Sequence, residues 1–340
     1  MKNDIKEADT LFSKKIINWY ENSGRDDLPW RKNITAYRVW ISEIMLQQTQ
    51  VKTVVPFYRK FIKKYPNLKS LSGATEEDIL ALWTGLGFYR RAKNIFKTKE
   101  ILKENFKNRF PKKFKDIVSL PGIGNSTAGA IMSIAYKSPH PILDANVKRT
   151  ISRFESIKND STSKADKILW EYSLIHTPKK NIFEYTQGIM DMGATVCTPL
   201  APSCDICPAN KLCKSAFSVL KQETKKKKIN PTKKINFVLA VNENAFLLFK
   251  KSEKTFWESL WVPYELEAKN RLPWSQSFNN KEELHHKHRL SHLDLDLNIK
   301  ILHYDKKFEF KSNKEYKWIH ISDIDKFGLP KPIKSIMDKL

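Results

Sequence analysis

Apolar residues recur at intervals of three and four through the first two-thirds of the chain. Short connectors that contain Gly or Pro separate the apolar segments, and no strand-like alternation occurs before about residue 235. This pattern predicts an all-α body. The predicted helices span residues 11–20, 37–50, 54–64, 76–83, 90–105, 114–119, 126–136, 146–154, 165–175 and 181–193.

The periodicity changes in the last third of the chain. Residues 235–241, 245–250, 294–302 and 316–320 have strand patterns, whereas residues 280–284 and 331–339 have helical patterns. The preceding lysine-rich stretch contains too few apolar residues to pack, so it is interpreted as a linker that could also lie along a phosphate backbone. We therefore predict an all-α region over 1–217, a basic linker over 218–234 and a smaller α+β domain over 235–340.

Charge and hydropathy narrow the class of protein. The chain has 340 residues, 41% of them hydrophobic, which indicates a globular protein. No apolar run approaches the ~20 residues of a membrane span, and the N-terminus shows no secretory signal, so we expect a cytoplasmic, nucleoid-associated protein. The 61 Lys and Arg against 37 acidic residues give a net charge of +24. This excess favours a nucleic-acid partner over a merely lysine-rich surface.

The string LPGIGNSTA at residues 120–128 lies between two predicted helices. Gly122 and Gly124 allow positive φ and the close approach of another backbone, and the amides that open the next helix, around Ser126, favour a phosphate. A Gly-x-Gly turn alone would be an ordinary interhelical turn. The whole string is more specific and predicts a helix-hairpin-helix that holds one DNA strand without reading its sequence.

Two carboxyl groups stand out. Glu43 lies in a strongly apolar helical run, where burial would raise its pKa and suit it to general acid catalysis. The alternative is a Glu on the exposed face of an amphipathic helix. Asp144 directly precedes a predicted helix, where an Asp is usually an N-cap, and a cap is also a rigid mount for a charged group.

The four cysteines lie within one short stretch, at Cys197, Cys204, Cys207 and Cys213. Clustered thiols in a chain without an export signal indicate a metal or cluster site rather than disulfides. The spacing alone permits zinc as readily as an iron–sulfur cluster.

Several strings together resemble the adenine DNA glycosylases of the MutY type, which are helix-hairpin-helix enzymes of base-excision repair. The resemblance covers about residues 8–217 and continues more faintly through the C-terminal domain. It rests on the cysteine loop and on LPWR (28–31), SEIMLQQTQV (42–51), LWTGLGFYRRAKN (82–94), LPGIGNSTAGAI (120–131) and PILDANVKR (141–149).

The resemblance implies a monomeric, monofunctional DNA N-glycosylase. It would flip adenine out of double-stranded DNA, opposite 8-oxoguanine or guanine, and hydrolyse its N-glycosidic bond. It also implies a helix-hairpin-helix subdomain at about 29–136, an iron–sulfur subdomain from 8–28 and 137–217 that carries a [4Fe–4S] cluster on the four cysteines, and a Nudix-like lesion-recognition domain.

The resemblance assigns roles residue by residue. Glu43 would protonate the leaving adenine, Asp144 would stabilise the positive sugar and Asn146 would order the site. The implied DNA contacts are Trp30, Arg31, Leu46 and Glu184 at the adenine, Gln48, Thr49, Leu86 and Phe88 at the orphaned base, Gly122, Gly124 and Ser126 at the hairpin, and Ser291 and His292 at the lesion.

Departures from the family pattern leave alternatives open. The family commonly has Tyr where this chain has Phe88, and Phe where it has Leu290. Endonuclease III, which removes oxidised pyrimidines, carries a Lys where this chain has Ser126, and a hydroxyl cannot form a Schiff base. The alternatives are an endonuclease III-like enzyme and a catalytically inactive DNA-binding relative. Nucleotide hydrolysis is not expected, because no glutamate-rich pyrophosphatase motif is present.

Two further expectations concern surface residues. Lys211 and Lys214 are expected to face DNA phosphates beside the cysteine loop. The histidines at 285, 286, 288 and 292 are expected to lie in a surface loop rather than to bind zinc.

Overall fold

The computed structural model describes residues 2–158, 162–218, 230–252, 256–266, 271–291 and 293–340, with side chains from Leu11 onward. The chain forms two compact units. The first comprises Met1–Gly73 and Lys97–Thr224, and the second comprises Ala74–Phe96 and Lys225–Leu340. The second unit therefore includes a helical segment from the middle of the chain as well as the C-terminal third. Residues 219–229 of the predicted linker lie outside the described residues.

The predicted helical body is confirmed. A short helix α4, which the sequence analysis missed, lies between two predicted ones, and no helix in the described part of the chain has the length and apolar character of a membrane span. The helices are α1 (Lys2–Ser23), α2 (Ala36–Leu46), α3 (Val51–Lys64), α4 (Leu68–Leu71), α5 (Glu76–Trp83), α6 (Arg90–Phe106), α7 (Phe114–Val118), α8 (Asn125–Ala135), α9 (Ala145–Phe154), α10 (Ser163–His176), α11 (Ile182–Thr195) and α12 (Lys331–Met337).

Helix α2 runs through the core of the first unit. Trp40, Ile41, Ile44 and Met45 are at most 1% exposed, so the helix is buried on most of its circumference. It packs against α3 and α8. A helix surrounded in this way places any polar side chain that it carries inside the protein, and Glu43 is such a side chain.

The second unit is built on a seven-stranded sheet with the order β3-β2-β1-β6-β5, in which β4 pairs with β1 and β7 pairs with β2. Strands β1 and β6 are parallel, from Thr232 opposite Asp294 to Val241 opposite His303, and the other pairs are antiparallel. The strands are β1 (Thr232–Asn242), β2 (Ala245–Lys250), β3 (Trp261–Val262), β4 (Tyr264–Glu265), β5 (Asn280–Arg289), β6 (Asp294–His303) and β7 (Tyr316–His320).

The helix predicted for residues 280–284 is wrong, because these residues begin the edge strand β5. Glu, Lys and Leu favour a helix locally, but antiparallel pairing with β6 along ten residues outweighs that preference. Leu284, His286 and His288 alternate as half-buried residues between exposed ones. The histidines at 285, 286 and 288 therefore lie on a strand and not in a loop, and His292 lies outside the described residues.

An aromatic cluster joins distant helices of the first unit. Phe12 of α1 is fully buried, and its ring centroid lies 4.2 Å from that of Phe154 in α9 and 4.7 Å from that of His176 in α10. The neighbouring Leu11 is 45% exposed. One position of α1 therefore holds three helices together, while the next faces solvent.

We predict that Phe12→Ala lowers the free energy of unfolding by about 3–5 kcal/mol, because it removes a buried ring from a close-packed cluster. The matched variant Leu11→Ala should change it by less than about 0.5 kcal/mol. Denaturant unfolding followed by far-UV circular dichroism measures both values. Equal losses for the two variants would contradict the packing described here.

Candidate active site

Glu43 lies in the second half of α2, among fully buried apolar side chains. The residue keeps some accessible surface, but protein surrounds its carboxyl group on nearly all sides. Burial raises the pKa of Glu43 to about 8, and the negative charge of Asp144 contributes to the increase. Glu43 is therefore protonated at neutral pH, as a general acid must be.

Asp144 is the N-cap of α9. Its Oδ1 accepts hydrogen bonds from the backbone amides of Asn146 (2.7 Å) and Val147 (2.9 Å). Burial raises the pKa of Asp144, while these two amides and the positive charge of Arg149 oppose the increase by favouring the anion. Burial thus favours the neutral form of Glu43, whereas Asp144 has two amide donors and a nearby cation that favour its anion.

The segment that leads into Asp144 is fixed by three contacts. A Cβ at position 129 of α8 would come within 2.2 Å of the Pro141 carbonyl oxygen, so only Gly129 permits this approach. Ser173 of α10 donates its hydroxyl to the Ile142 carbonyl (2.7 Å). The Leu143 amide donates to the Ser126 hydroxyl (3.0 Å). Ser126 thus supports the residue that precedes Asp144.

The predicted hairpin is present between α7 and α8. Gly122 adopts a φ of +79°, as the turn requires, whereas Gly124 has a φ of −91° and is the N-cap of α8. No side chain caps the first turn of α8, and space is open beside Gly124. Gln47, directly after α2, donates to the Gly122 carbonyl (3.4 Å). The exposed amides of this helix start suit an anion.

Arg31 is held by a buried carboxylate that the sequence analysis did not single out. Both terminal nitrogens of its guanidinium donate hydrogen bonds to the Asp191 carboxylate, at 2.7 Å each, and Asp191 is fully buried in α11. Arg25 binds the same carboxylate through its backbone amide (3.0 Å) and its Nε (2.9 Å). The lone Asp in the apolar run GIMDMG was the available signal, of the same kind as the one that identified Glu43.

Arg149 links Asn146 to the cysteine loop. It donates to Asn146 Oδ1 (2.9 Å) and to the carbonyl oxygens of Gly193 and Cys197, the latter at 2.8 Å. Asn146 therefore has its side-chain carbonyl fixed by a neighbour on the same helix. Sequence reasoning missed Arg149, although it ends the string PILDANVKR.

The four cysteines are half-buried, and none of them forms a disulfide. No set of three or more potential ligands meets the geometry of a metal site in the described part of the chain. Burial raises the pKa of Cys207 to about 11, and the other three thiols add to the increase. Four cysteine sulfurs in one short loop are a soft donor set of the kind that binds zinc and iron–sulfur clusters, so their chemistry fits a thiolate-bound metal or cluster.

Basic residues lie in and beside the cysteine loop. Arg153 donates to Cys197 Sγ (3.4 Å) and to the Thr198 carbonyl (2.6 Å). Lys211 and Lys214 are both exposed, and Lys214 also forms an ion pair with Glu155 (2.6 Å).

The other predicted contacts lie at varied depths. In the first unit, Trp30 is buried and its ring lies edge-on to that of Tyr58. Leu46 and Thr49 are half-buried, and Gln48 between them is exposed with a φ of +57°. Glu184 lies in the first turn of α11. Leu86, Phe88 and Ser291 belong to the second unit, and Ser291 is exposed. His292 lies outside the described residues.

Comparisons with known proteins agree with this arrangement. The model of the HhH-GPD superfamily of base excision DNA repair proteins matches residues 41–173, and that of the NUDIX domain matches residues 236–339. The structure of a thermostable thymine-DNA glycosylase is similar, with a TM-score of 0.57 and 28% identity over 62% of this chain and 97% of that chain.

Curated relatives extend the likeness to the whole chain. The adenine DNA glycosylase of Rattus norvegicus is 37% identical over 61% of this chain and 42% of its own length. The adenine DNA glycosylase of Buchnera aphidicola subsp. Schizaphis graminum is 41% identical over 96% of this chain and 98% of its own length. The chain belongs to the adenine DNA glycosylase family, DNA N-glycosylases of base excision repair with a helix-hairpin-helix body and a Nudix-like C-terminal domain.

Proposed function

We propose that this glycosylase excises adenine paired with 8-oxoguanine or guanine, after flipping the adenine out of the duplex. The observation that carries the proposal is the pair of buried carboxyl groups: the pKa of Glu43 is raised to about 8, and Asp144 accepts two backbone hydrogen bonds that favour its anion. Cleavage of an N-glycosidic bond needs a proton for the leaving base and a negative charge beside the developing oxocarbenium ion. The pair supplies one of each.

The steps follow from these protonation states. Glu43 donates its proton to N7 of the flipped adenine, and the base leaves with the electrons of the glycosidic bond. The Asp144 carboxylate, held by two backbone amides, stabilises the positively charged sugar. Glu43, now anionic, accepts a proton from the water that attacks the sugar. Arg31 contributes to the adenine pocket, and its buried Nε–H has no partner among the described residues.

DNA binding rests on charge and on the hairpin. The net charge of +24 attracts the duplex, and the uncapped start of α8 offers backbone amides to one phosphate. Extruding a base costs a few kcal/mol of stacking. Gln48, Thr49, Leu86 and Phe88 would offset this cost by contacting the orphaned base and filling the gap, and Ser291 and His292 would contact the lesion.

The enzyme is proposed to be monofunctional. A hydroxyl at Ser126 cannot form the Schiff base that strand cleavage requires, and its hydrogen bond to the Leu143 amide gives it a structural role instead. An endonuclease III-like enzyme that acts on pyrimidine lesions is the competing function.

Cys197, Cys204, Cys207 and Cys213 are proposed to bind a [4Fe–4S] cluster. When bound, the cluster supplies a structural crosslink between separate points of the loop. Arg149 and Arg153 of α9 fix this loop through hydrogen bonds to Cys197 and its neighbour Thr198, so the loop and the helix that Asp144 caps support each other.

We predict that Glu43→Gln slows adenine release by about 100- to 10,000-fold, because the general acid is lost. A single-turnover assay with adenine opposite 8-oxoguanine measures this rate, with Glu104→Gln, an exposed glutamate, as the control. A parallel duplex that carries thymine glycol tests the competing function. Release of thymine glycol in place of adenine would refute the proposal, and so would strand cleavage without added base or heat.

The pH dependence follows from the same carboxyl group. The raised pKa keeps Glu43 protonated, and therefore active, below pH about 8. Above that value the protonated fraction falls, so the single-turnover rate should fall by about tenfold per pH unit. A rate that rises from pH 7 to pH 9 would show that Glu43 is not the acid.

We predict that Cys204→Ser removes most of the bound iron and the brown colour of the purified protein, because a cluster ligand is lost. Leu200→Ala in the same loop, where Leu200 is 91% exposed, should retain both. Metal analysis and visible absorption spectra measure these properties. A colourless wild-type protein that contains zinc would overturn the assignment of the cluster.

We predict that Phe88→Tyr increases the preference for 8-oxoguanine over guanine by about fivefold, because the phenolic group adds one hydrogen bond. The ratio of single-turnover rates on the two duplexes measures the preference. Phe278→Tyr serves as the control, since Phe278 is 45% exposed and Phe88 is 43% exposed. An unchanged ratio in Phe88→Tyr would show that the absence of this hydroxyl does not limit discrimination.

A further inference from the structure

Within the second unit, the Glu77 carboxylate of helix α5 binds strand β3 and the segment that precedes α12. Glu77 accepts a hydrogen bond from the Trp261 indole at Oε2 (2.9 Å) and another from the Gly328 amide at Oε1 (3.0 Å). A Cβ at position 328 would lie 2.6 Å from the Leu80 Cβ, so the backbone at Gly328 lies directly against α5. Trp261 is fully buried and Gly328 is buried, so both donors depend on Glu77.

The residues after α5 are fixed by both backbone groups of Leu329. The Leu329 amide donates to the Thr84 hydroxyl (3.1 Å), and the Tyr89 hydroxyl donates to the Leu329 carbonyl (2.8 Å). The Tyr89 oxygen also accepts from the Gly85 amide (3.3 Å). Thr84 and Tyr89 flank the turn at residues 85–88, so the C-terminal chain holds this turn at both ends.

The turn between these two anchors presents an aromatic ring to solvent. Phe88 has a φ of +49°, in the left-handed region that side chains rarely adopt, and is 43% exposed. The Gly87 carbonyl accepts from the Trp83 indole (3.0 Å) and from Arg91 (3.2 Å), whose guanidinium lies 5.3 Å from the centre of the Phe88 ring. A strained conformation of this kind persists only where its surroundings enforce it.

We propose that Glu77, Thr84 and Tyr89 form a clamp that makes the C-terminal domain responsible for the position of the Phe88 turn. The three are positioning residues, because they act through Phe88. This inference rests on the proposed function, in which Phe88 is the wedge: it contacts the orphaned base and fills the gap that the flipped adenine leaves. The clamp transmits recognition of the orphaned base to the wedge, because the turn and the recognising domain are hydrogen-bonded into one unit.

The test uses full-length Tyr89→Phe and Glu77→Gln. The first removes one hydroxyl and keeps the buried ring, and the second keeps the shape of the side chain but replaces one of its two acceptor oxygens with a donor. Single-turnover rates are measured with adenine opposite 8-oxoguanine and opposite guanine, below the unfolding temperature of each variant. Each variant should lose about tenfold or more of the preference for 8-oxoguanine, since misplacement of a positioning group costs up to about 100-fold. Glu76→Gln, on the same helix, is the control and should keep the wild-type ratio.

A spectroscopic readout separates positioning from a loss of stability. With Glu43→Gln as the background, so that base release is slow compared with binding, 2-aminopurine beside the target adenine reports unstacking of the duplex. Wedge insertion should raise its emission, and adding Tyr89→Phe should reduce that rise while binding of the duplex is retained. Unchanged emission together with an unchanged rate ratio would overturn the inference.

The remaining outcomes are also decisive. In a double-mutant cycle, Trp261→Phe should add little to the effect of Glu77→Ala on the rate ratio, because Glu77→Ala already removes the acceptor of the Trp261 indole. Fully additive effects would overturn the clamp. If the wild-type chain releases adenine and Tyr89→Phe keeps the wild-type ratio, the inference fails and the proposed function stands. If the wild-type chain releases no adenine, both fail.

Discussion

The repulsion between two buried carboxyl groups is the constraint around which the catalytic helices are arranged. Burial disfavours the anion of each group, and the charge on Asp144 adds to the cost at Glu43. Two backbone amides at the start of α9 and the positive charge of Arg149 favour the anion of Asp144. The surroundings of the two groups thus differ: burial favours the neutral form of Glu43, and the amides favour the anion of Asp144.

That assignment requires Asp144 to be held rigidly, which explains the contacts around it. The preceding segment is fixed by the close approach at Gly129 and by the hydroxyls of Ser126 and Ser173. On the following helix, Arg149 fixes Asn146 and reaches the cysteine loop. These contacts hold the buried Asp144 carboxylate in one position, as a precisely arranged site requires.

Most of the fold was readable from local sequence patterns. The apolar period of 3.6 residues located the helices, and the identification of Asp144 as a cap was right, because both features depend on neighbouring residues. The edge strand β5 was misjudged as partly helical, since its partner β6 is what makes it a strand. The pair of Arg31 and Asp191 joins residues 160 positions apart, and the bond between Ser126 and Leu143 joins two chain segments. Contacts of that kind leave no periodic signal.

In the candidate site, the sequence pattern identifies buried acidic residues but does not separate their roles. Glu43 could be singled out because one acidic residue interrupts an apolar helix, and Asp191 carries an equal signal that was passed over. What the sequence alone does not distinguish is the task of each. Asp191 is fully buried and neutralised by two guanidinium groups, so it orients Arg31 and Arg25, whereas the burial of Glu43 leaves it protonated. The partners that the fold supplies decide which carboxyl group performs chemistry.

The side chains placed on the shared helical framework, rather than the framework itself, determine the chemistry of such an enzyme. A thymine-DNA glycosylase shares the helical framework at a TM-score of 0.57, so the framework itself does not select the base that is removed. The first turn of α8 offers backbone amides to a phosphate, and its Ser126 hydroxyl accepts the hydrogen bond that supports the Asp144 segment. An amine at that place would offer a nucleophile and forfeit the acceptor for the Leu143 amide. The proposed hydrolysis without strand cleavage and the fixed position of the Asp144 segment therefore both depend on the side chain at 126.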